Sequence, residues 1–301
     1  MLILKNPKIA VPIVLFAGLI WSFGPLVVRY MDNPHLVPWQ YIFGRGLTIF
    51  ILLNLYLYFE EGINFWKNYL KVGKSGVIGG FGLGIAMISF IYSITNTSAA
   101  ITLLCLAAMP FFTALLAFLF LKESISLNVW VSIVIATIGI IIMALGNDET
   151  NSLVGFIFGI TSSIGFSIFS VSLRWRKETP KFTTVAVAGL FCFIFATIMI
   201  LFSKQPFFST SVNGALFSLH GTLVCLGLIL YSIGSKAIPA AELTLLSLTE
   251  VIGGIFWVWL PLFGINEVPD TNTVIGGFFL FISLFYYSMI MRWNKRHIGL
   301  N

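Results

Sequence analysis

Again and again this chain runs for about twenty residues with few or no charges, and at ~1.5 Å of rise per residue such a run crosses a hydrocarbon core of ~30 Å. Residues 240–262, AAELTLLSLTEVIGGIFWVWLPL, constrain the fold most. Glu250 stands roughly 15 Å from either end of that run, near the membrane midplane. A carboxyl at that depth costs roughly 2.5–3.5 kcal/mol on insertion scales, so it must face a partner or water inside a bundle. Thr244, Ser247, Glu250, Gly254 and Trp257 recur at helical spacing on one face, and the opposite face is apolar.

Composition agrees. Hydrophobic residues make up 58% of the 301 and charged residues 9%, with mean hydropathy +0.99. Soluble domains carry about 25% charged residues, so this is an integral membrane protein. The net charge of +6 is spread between the apolar runs, where it orients the chain and is no footprint for nucleic acid. Cys105, Cys192 and Cys225 lie inside apolar segments, which indicates neither a disulfide framework nor a zinc site. His35, His220 and His297 are scattered and read as packing or surface residues. No metal or other cofactor is expected. The first run, 11–30, follows Lys5 and Lys8 without a small-residue cleavage pattern, so it is expected to be a retained span and not a signal peptide.

Hydropathy places ten helices at 11–30, 39–58, 75–93, 99–121, 127–145, 153–173, 183–202, 215–235, 240–262 and 274–291. With the N-terminus in the cytoplasm, inner segments hold fourteen basic residues: Lys5, Lys8, Lys67, Lys71, Lys74, Lys122, Arg174, Arg176, Lys177, Lys181, Lys236, Arg292, Lys295 and Arg296. Outer segments hold two, Arg29 and Lys204, and carry acids at Asp148–Glu149 and Glu267–Asp270. That asymmetry predicts cytoplasmic termini.

The chain also repeats itself. Residues 99–123, AAITLLCLAAMPFFTALLAFLFLKE, match the 240–262 run with a shift of 141, which pairs Met109 with Glu250 and Thr113 with Gly254. Tyr92-Ser93-Ile94 recurs as Tyr231-Ser232-Ile233, and Trp21-Ser22 through Arg29 pairs with Phe166-Ser167 through Arg174. Two repeats are expected, at 1–146 and 147–301, each of five helices. An odd number of spans turns the second copy upside down, an arrangement that transporters use to build a site at the repeat interface.

These features together resemble the drug/metabolite transporter superfamily, specifically its EamA-type permeases. The resemblance rests on Trp21-Ser22 in the first span and on Pro38 followed by Arg45. It rests also on the Thr-Leu-Leu run with Pro110 and Lys122-Glu123, and on the Ala-Ala run that leads to Glu250. Val251 stands where many relatives carry proline. The resemblance implies an all-α membrane protein of ten transmembrane helices in two inverted five-helix repeats. It further implies that spans one to four and six to nine surround a cavity, with the fifth and tenth as peripheral scaffold. The family moves amino acids, vitamins, nucleotide-like metabolites and drugs.

Individual residues leave alternatives open. Glu250 is either a site for a substrate amine or a proton, or a structural carboxyl joining two helices. Arg45, about 9 Å inside the second span on the helical rise, either captures a carboxylate or phosphate, pairs with Glu250, or snorkels to the interface. Pro25 and Pro110 break their helices and are hinge candidates, as are Gly253 and Gly254. Ser163, Ser167 and Ser170 form either a ligand stripe or helix-packing glue, and Tyr92 and Tyr231 either a pair of gates or interfacial aromatics. Gly76, Gly80 and Gly84 read as close helix packing. Glu242, within a turn of the cytoplasmic end of its span, reads as solvated, and Lys122-Glu123 as loop charges. The candidate substrate-binding set is thus Glu250, Arg45, Trp21, Ser22, Tyr92, Met109, Ser167, Tyr231, Ser247 and Trp257.

One acid, one base, hydroxyls and indole faces suit a zwitterion. The expected function is secondary-active transport of an amino acid or related amphipathic metabolite across a bacterial inner membrane by alternating access, with protons as a possible coupling ion. A vitamin, a nucleotide-like compound such as S-adenosylmethionine, or a drug is the alternative cargo. A lipid-modifying enzyme would need catalytic groups converging at one interface, and a channel would need polar rings along a path. Neither pattern is present in the sequence.

Overall fold

The computed structural model describes residues 6–144, 153–176, 178–268 and 271–297, and every described element is helical. The helices are α1 (Pro7–Trp21), α2 (Gly24–Arg29), α3 (Pro38–Glu61), α4 (Lys67–Lys71), α5 (Gly73–Asn96), α6 (Ala99–Leu106), α7 (Met109–Leu116), α8 (Leu127–Ala144), α9 (Leu153–Trp175), α10 (Lys181–Ser203), α11 (Ser211–Gly234), α12 (Ala240–Leu246), α13 (Thr249–Trp259) and α14 (Thr271–His297). Among the described residues eight helical segments are long and apolar enough to cross a membrane, and two shorter apolar stretches lie at Leu127–Ile142 and Val274–Tyr287. Lys5, Lys177, Asp148–Glu149, Asp270 and the boundary between 146 and 147 lie outside the described residues.

Three expected helices are in fact pairs of half-helices. The first span breaks at Ser22–Phe23, where Pro25 lacks the N–H that would bond Trp21. The fourth breaks at Ala107–Ala108, just before Pro110. There the chain tightens into 3₁₀-type bonds, from Ala108 N to Cys105 O and from Phe111 N to Ala108 O.

The ninth span, expected as one helix, breaks at Ser247–Leu248 without any proline. Its hydroxyls do the work, since Ser247 Oγ donates to Thr244 O at 2.8 Å and Thr249 Oγ1 to Leu246 O at 3.2 Å. Such bonds occupy carbonyls of the turn and offer the backbone an alternative to a regular helix. Gly18 lets the first span approach this break closely, because a Cβ there would stand 3.1 Å from Ser247 O and 3.2 Å from Glu250 N.

The breaks in the fourth and ninth spans fall at matching places of the repeat, with Met109 and Glu250 each in the first turn of the second half-helix. The two spans run in opposite directions. The fourth starts beside Arg29, which bonds Thr97 O, and leads to Glu123 beside Arg174. The ninth starts at Ala240, beside Glu123, and leads to Glu267 beside Arg29.

Packing places α1 on α11, α3 on α10 and α5 on α9, while α8 and α14 pair with each other at the side of the bundle. In α5, Gly80 and Gly84 face Val187 and Phe191 of α10, and Gly82 faces α9. At that crossing a Cβ on Gly165 would sit 2.6 Å from Gly82 O and 2.9 Å from Ala86 N, so backbone touches backbone. Gly165→Val is therefore expected to cost about 2–3 kcal/mol of stability, at the upper end of overpacking penalties. Thermal unfolding of the purified variant measures this. An unchanged midpoint would mean that the two spans separate easily.

Candidate functional site

Where the three broken spans meet α3, α5, α9 and α11 there is a cavity of about 60 Å³. At ~10–15 Å³ per water it has room for about four to six waters. Four of the sequence candidates line it: Glu250, Arg45, Trp21 and Met109. Two pairs of repeat mates meet on its wall. Met109 faces the same space as Glu250, and Trp21 meets Phe166 edge-on with ring centroids 5.6 Å apart.

Glu250 is held by the first turn of α13, where the helix dipole favours negative charge. Its carboxyl meets no hydrogen-bond donor among the described residues. Arg45 is 4% exposed, its guanidinium carbon lies 5.8 Å from the Phe90 ring centre, and its Nη1 is buried without a hydrogen-bond partner. Arg45 and Glu250 share the cavity but form no ion pair with each other, since the ion pairs among the described residues join Arg29 to Glu267 and Arg174 to Glu123. A buried guanidinium with an unmet donor is costly unless a ligand supplies the acceptor.

His220, read from the sequence as a packing or surface residue, lines the same cavity at 2% exposure. Its Nδ1 is hydrogen-bonded to the Tyr41 hydroxyl, and its Nε2 edge faces Gly24, where a Cβ would come within 2.7 Å. The rule that singled out Glu250 and Arg45, an ionisable side chain inside an apolar span, applies equally to His220. Phe166 could have been found as the repeat mate of Trp21. Phe90 and Ser162, which also line the cavity, carry no such signal.

The other candidates lie off the cavity wall and have partners of their own. Ser22 Oγ donates to Leu19 O at 2.6 Å and accepts from Trp257 Nε1 at 2.8 Å, while Trp257 stacks on Phe23 at 4.7 Å. Ser167 Oγ is shared between Met109 O at 3.1 Å and Ser163 O at 2.8 Å, and Ser163 donates to Cys105 O. These serines of α9 bind carbonyls around the break in the fourth span. Tyr231 is fully buried, with its hydroxyl 2.6 Å from Ser170 Oγ. Tyr92 is half-buried between Trp39 and Phe158, at 5.0 and 5.1 Å.

The single polar face expected on the ninth span is divided by its break. Glu250 reaches the cavity, Thr244 and Ser247 bond their own backbone, and Trp257 reaches Ser22. Gly253 packs on Ser22, and Gly254 on Leu103 and Pro25, whose Cγ would lie 3.2 Å from an added Cβ. Both glycines therefore sit at tight crossings of the first, fourth and ninth spans. Two charges expected to be solvated are engaged instead: half-buried Glu242 accepts a hydrogen bond from Tyr287, and Glu123 accepts one from Arg174 Nε at 2.7 Å.

Comparison with known proteins gives the frame for this site. Residues 8–145 match the EamA-like transporter family. Two proteins named "uncharacterized transporter", from Helicobacter pylori strains J99 and 26695, are 28% and 26% identical over 199 residues. Each alignment covers 65% of this chain and 64% of the relative's length. A solved crystal structure superposes with a TM-score of 0.72 at 16% identity, covering 96% of this chain and 100% of the other, a likeness of fold. Residues 8–145 are thus similar to the EamA-like transporter family, and the chain is a multi-pass membrane protein with relatives named as transporters.

Proposed function

We propose that this protein is a secondary-active transporter that moves a small zwitterionic metabolite, an amino acid or a close relative, across a bacterial inner membrane by alternating access. The observation that carries the reading is the unmet Nη1 of Arg45 on the same cavity as the carboxyl of Glu250. A guanidinium fork suits a carboxylate, and a carboxylate suits an ammonium, so one ligand with both ends satisfies both residues. Trp21, Phe90 and Phe166 supply an apolar surround for its body. Glu250 also carries the coupling proton, which the ligand amine displaces.

The architecture of this reading is two inverted five-helix repeats, 1–146 and 147–301, with both termini in the cytoplasm. Its support lies in the matched breaks at Met109 and Glu250 and in the opposite directions of the fourth and ninth spans. The half-helices around those breaks, with Pro25 and Pro110, are where the bundle flexes.

The test is thermal unfolding of the purified protein with L-amino acids, with the corresponding amines lacking the carboxylate, and with the corresponding acids lacking the amine. A zwitterion that binds should raise stability by about 2.7 kcal/mol at a hundred times its dissociation constant. Neither half-ligand should match it. Stabilisation by the amines or acids alone, with none by any zwitterion, would overturn the assignment.

A further inference from the structure

Outside the cavity, the structure repeats one polar arrangement at its two ends. Arg29, closing α2, donates from Nε to Glu267, from Nη1 to Ile94 O at 3.1 Å and from Nη2 to Thr97 O at 3.3 Å. Arg174, near the end of α9, donates from Nε to Glu123 at 2.7 Å and from Nη1 to Ser235 O at 3.2 Å and Ile238 O at 3.0 Å. The sequence pairing that sets Trp21 against Phe166 also sets Arg29 against Arg174.

The partners correspond too. Each arginine ties the corner between the third and fourth, or eighth and ninth, spans of its own half to an acid that follows the fourth or ninth span of the other half. Arg29 and Arg174 lie at opposite ends of the ninth span, Ala240–Trp259, whose 20 residues measure ~30 Å.

We propose that Arg29–Glu267 and Arg174–Glu123 are the two latches of the transport cycle, one at each mouth of the cavity, opened in turn. This rests on the transporter reading above. Three properties argue for latches and against permanent staples. The side chains are between 19% and 33% exposed, so water can replace the lost partner when a pair parts. Each guanidinium joins the two halves of the chain, so separating the halves at that end must break the ion pair. The two ends have the same chemistry, so exchanging one closed end for the other trades like for like, as a two-state switch requires.

The broken first span adds a route from latch to site. The short helix α2 carries Arg29, and its first turn carries Gly24, which adjoins His220 of the cavity wall. Movement of α2 on release of Arg29 therefore reaches the cavity directly.

Accessibility of a cysteine in the cavity tests this without any substrate. Ser162 lines the cavity, and Ser162→Cys is a near-isosteric reporter. A membrane-impermeant maleimide is applied to oriented vesicles from either side, and the protein without the reporter gives the background of the buried Cys105, Cys192 and Cys225. Arg29→Ala is expected to raise labelling several-fold only from the face that carries Arg29, and Arg174→Ala only from the opposite face. Arg29→Glu combined with Glu267→Arg is expected to restore protection.

If the alanine variants fail to fold, Glu267→Gln and Glu123→Gln keep shape and weaken each latch, with the same sidedness. Labelling unchanged in every variant, or raised from one common face, overturns the proposal. The outcome is separable from that of the ligand screen. Latches that work in a protein no zwitterion stabilises leave the cargo wrong, and a zwitterion that binds while labelling ignores both pairs leaves the latches wrong.

Discussion

Arg45→Leu is expected to raise the thermal stability of the purified protein while weakening its ligand binding. The two effects have one cause. Arg45 is buried with Nη1 unmet, and leaving a buried polar group without a partner costs about 1–3 kcal/mol. Leucine removes that cost and fills part of the space beside Phe90, so a gain of about 1–2 kcal/mol is expected from the same bookkeeping. The ligand loses its charged hydrogen bonds, worth about 1.5–3 kcal/mol. Affinity should therefore fall by about tenfold to more than a hundredfold, at 1.4 kcal/mol per factor of ten.

Arg45→Lys separates charge from shape, because an ammonium keeps the field but not the planar fork, and an intermediate affinity is expected. Thermal unfolding with and without ligand reads both quantities. A variant that melts earlier and binds as before would show that Arg45 is a packing residue.

Glu250→Gln carries the second large effect. The carboxamide keeps the size of the side chain but can neither hold the ligand's ammonium as an anion nor carry an exchangeable proton. Glu250 has no hydrogen-bond donor among the described residues, so the substitution breaks no internal bond, and stability should hold or rise slightly. Uptake driven by a proton gradient into vesicles should fall by at least about tenfold, the loss of one charge-assisted interaction. Uptake that stays proton-dependent at its original rate would rule out Glu250 as the coupling residue. Glu250→Asp, which retains the charge one methylene further back, should recover part of the activity.

Much of the site was legible because burial in a membrane is so expensive for an ionisable group. Depth alone marked Glu250 and Arg45, and the repeat tied Met109 to one and Phe166 to Trp21. His220 obeys the same rule, yet counting it with the other histidines hid it. Serines and tyrosines were harder to read. A hydroxyl can serve a ligand, a neighbouring helix or its own backbone, and Ser167, Ser247 and Tyr231 all chose protein partners. The break in the ninth span was equally hidden, since Ser247 and Thr249 produce it without the proline that marks the fourth.

Local chemistry along the chain was enough to dictate apolar helices of membrane length, the charge asymmetry between loops and the two deep charges, because each depends only on residues within a turn or a span. Tertiary structure alone decided that Arg45 and Glu250 share a cavity without pairing, that Trp21 meets Phe166, and that Arg29 closes on Glu267. Those partners are separated by 145 to 238 residues of chain. Their meeting depends on how helices cross and where glycines let backbones touch, which no single span encodes.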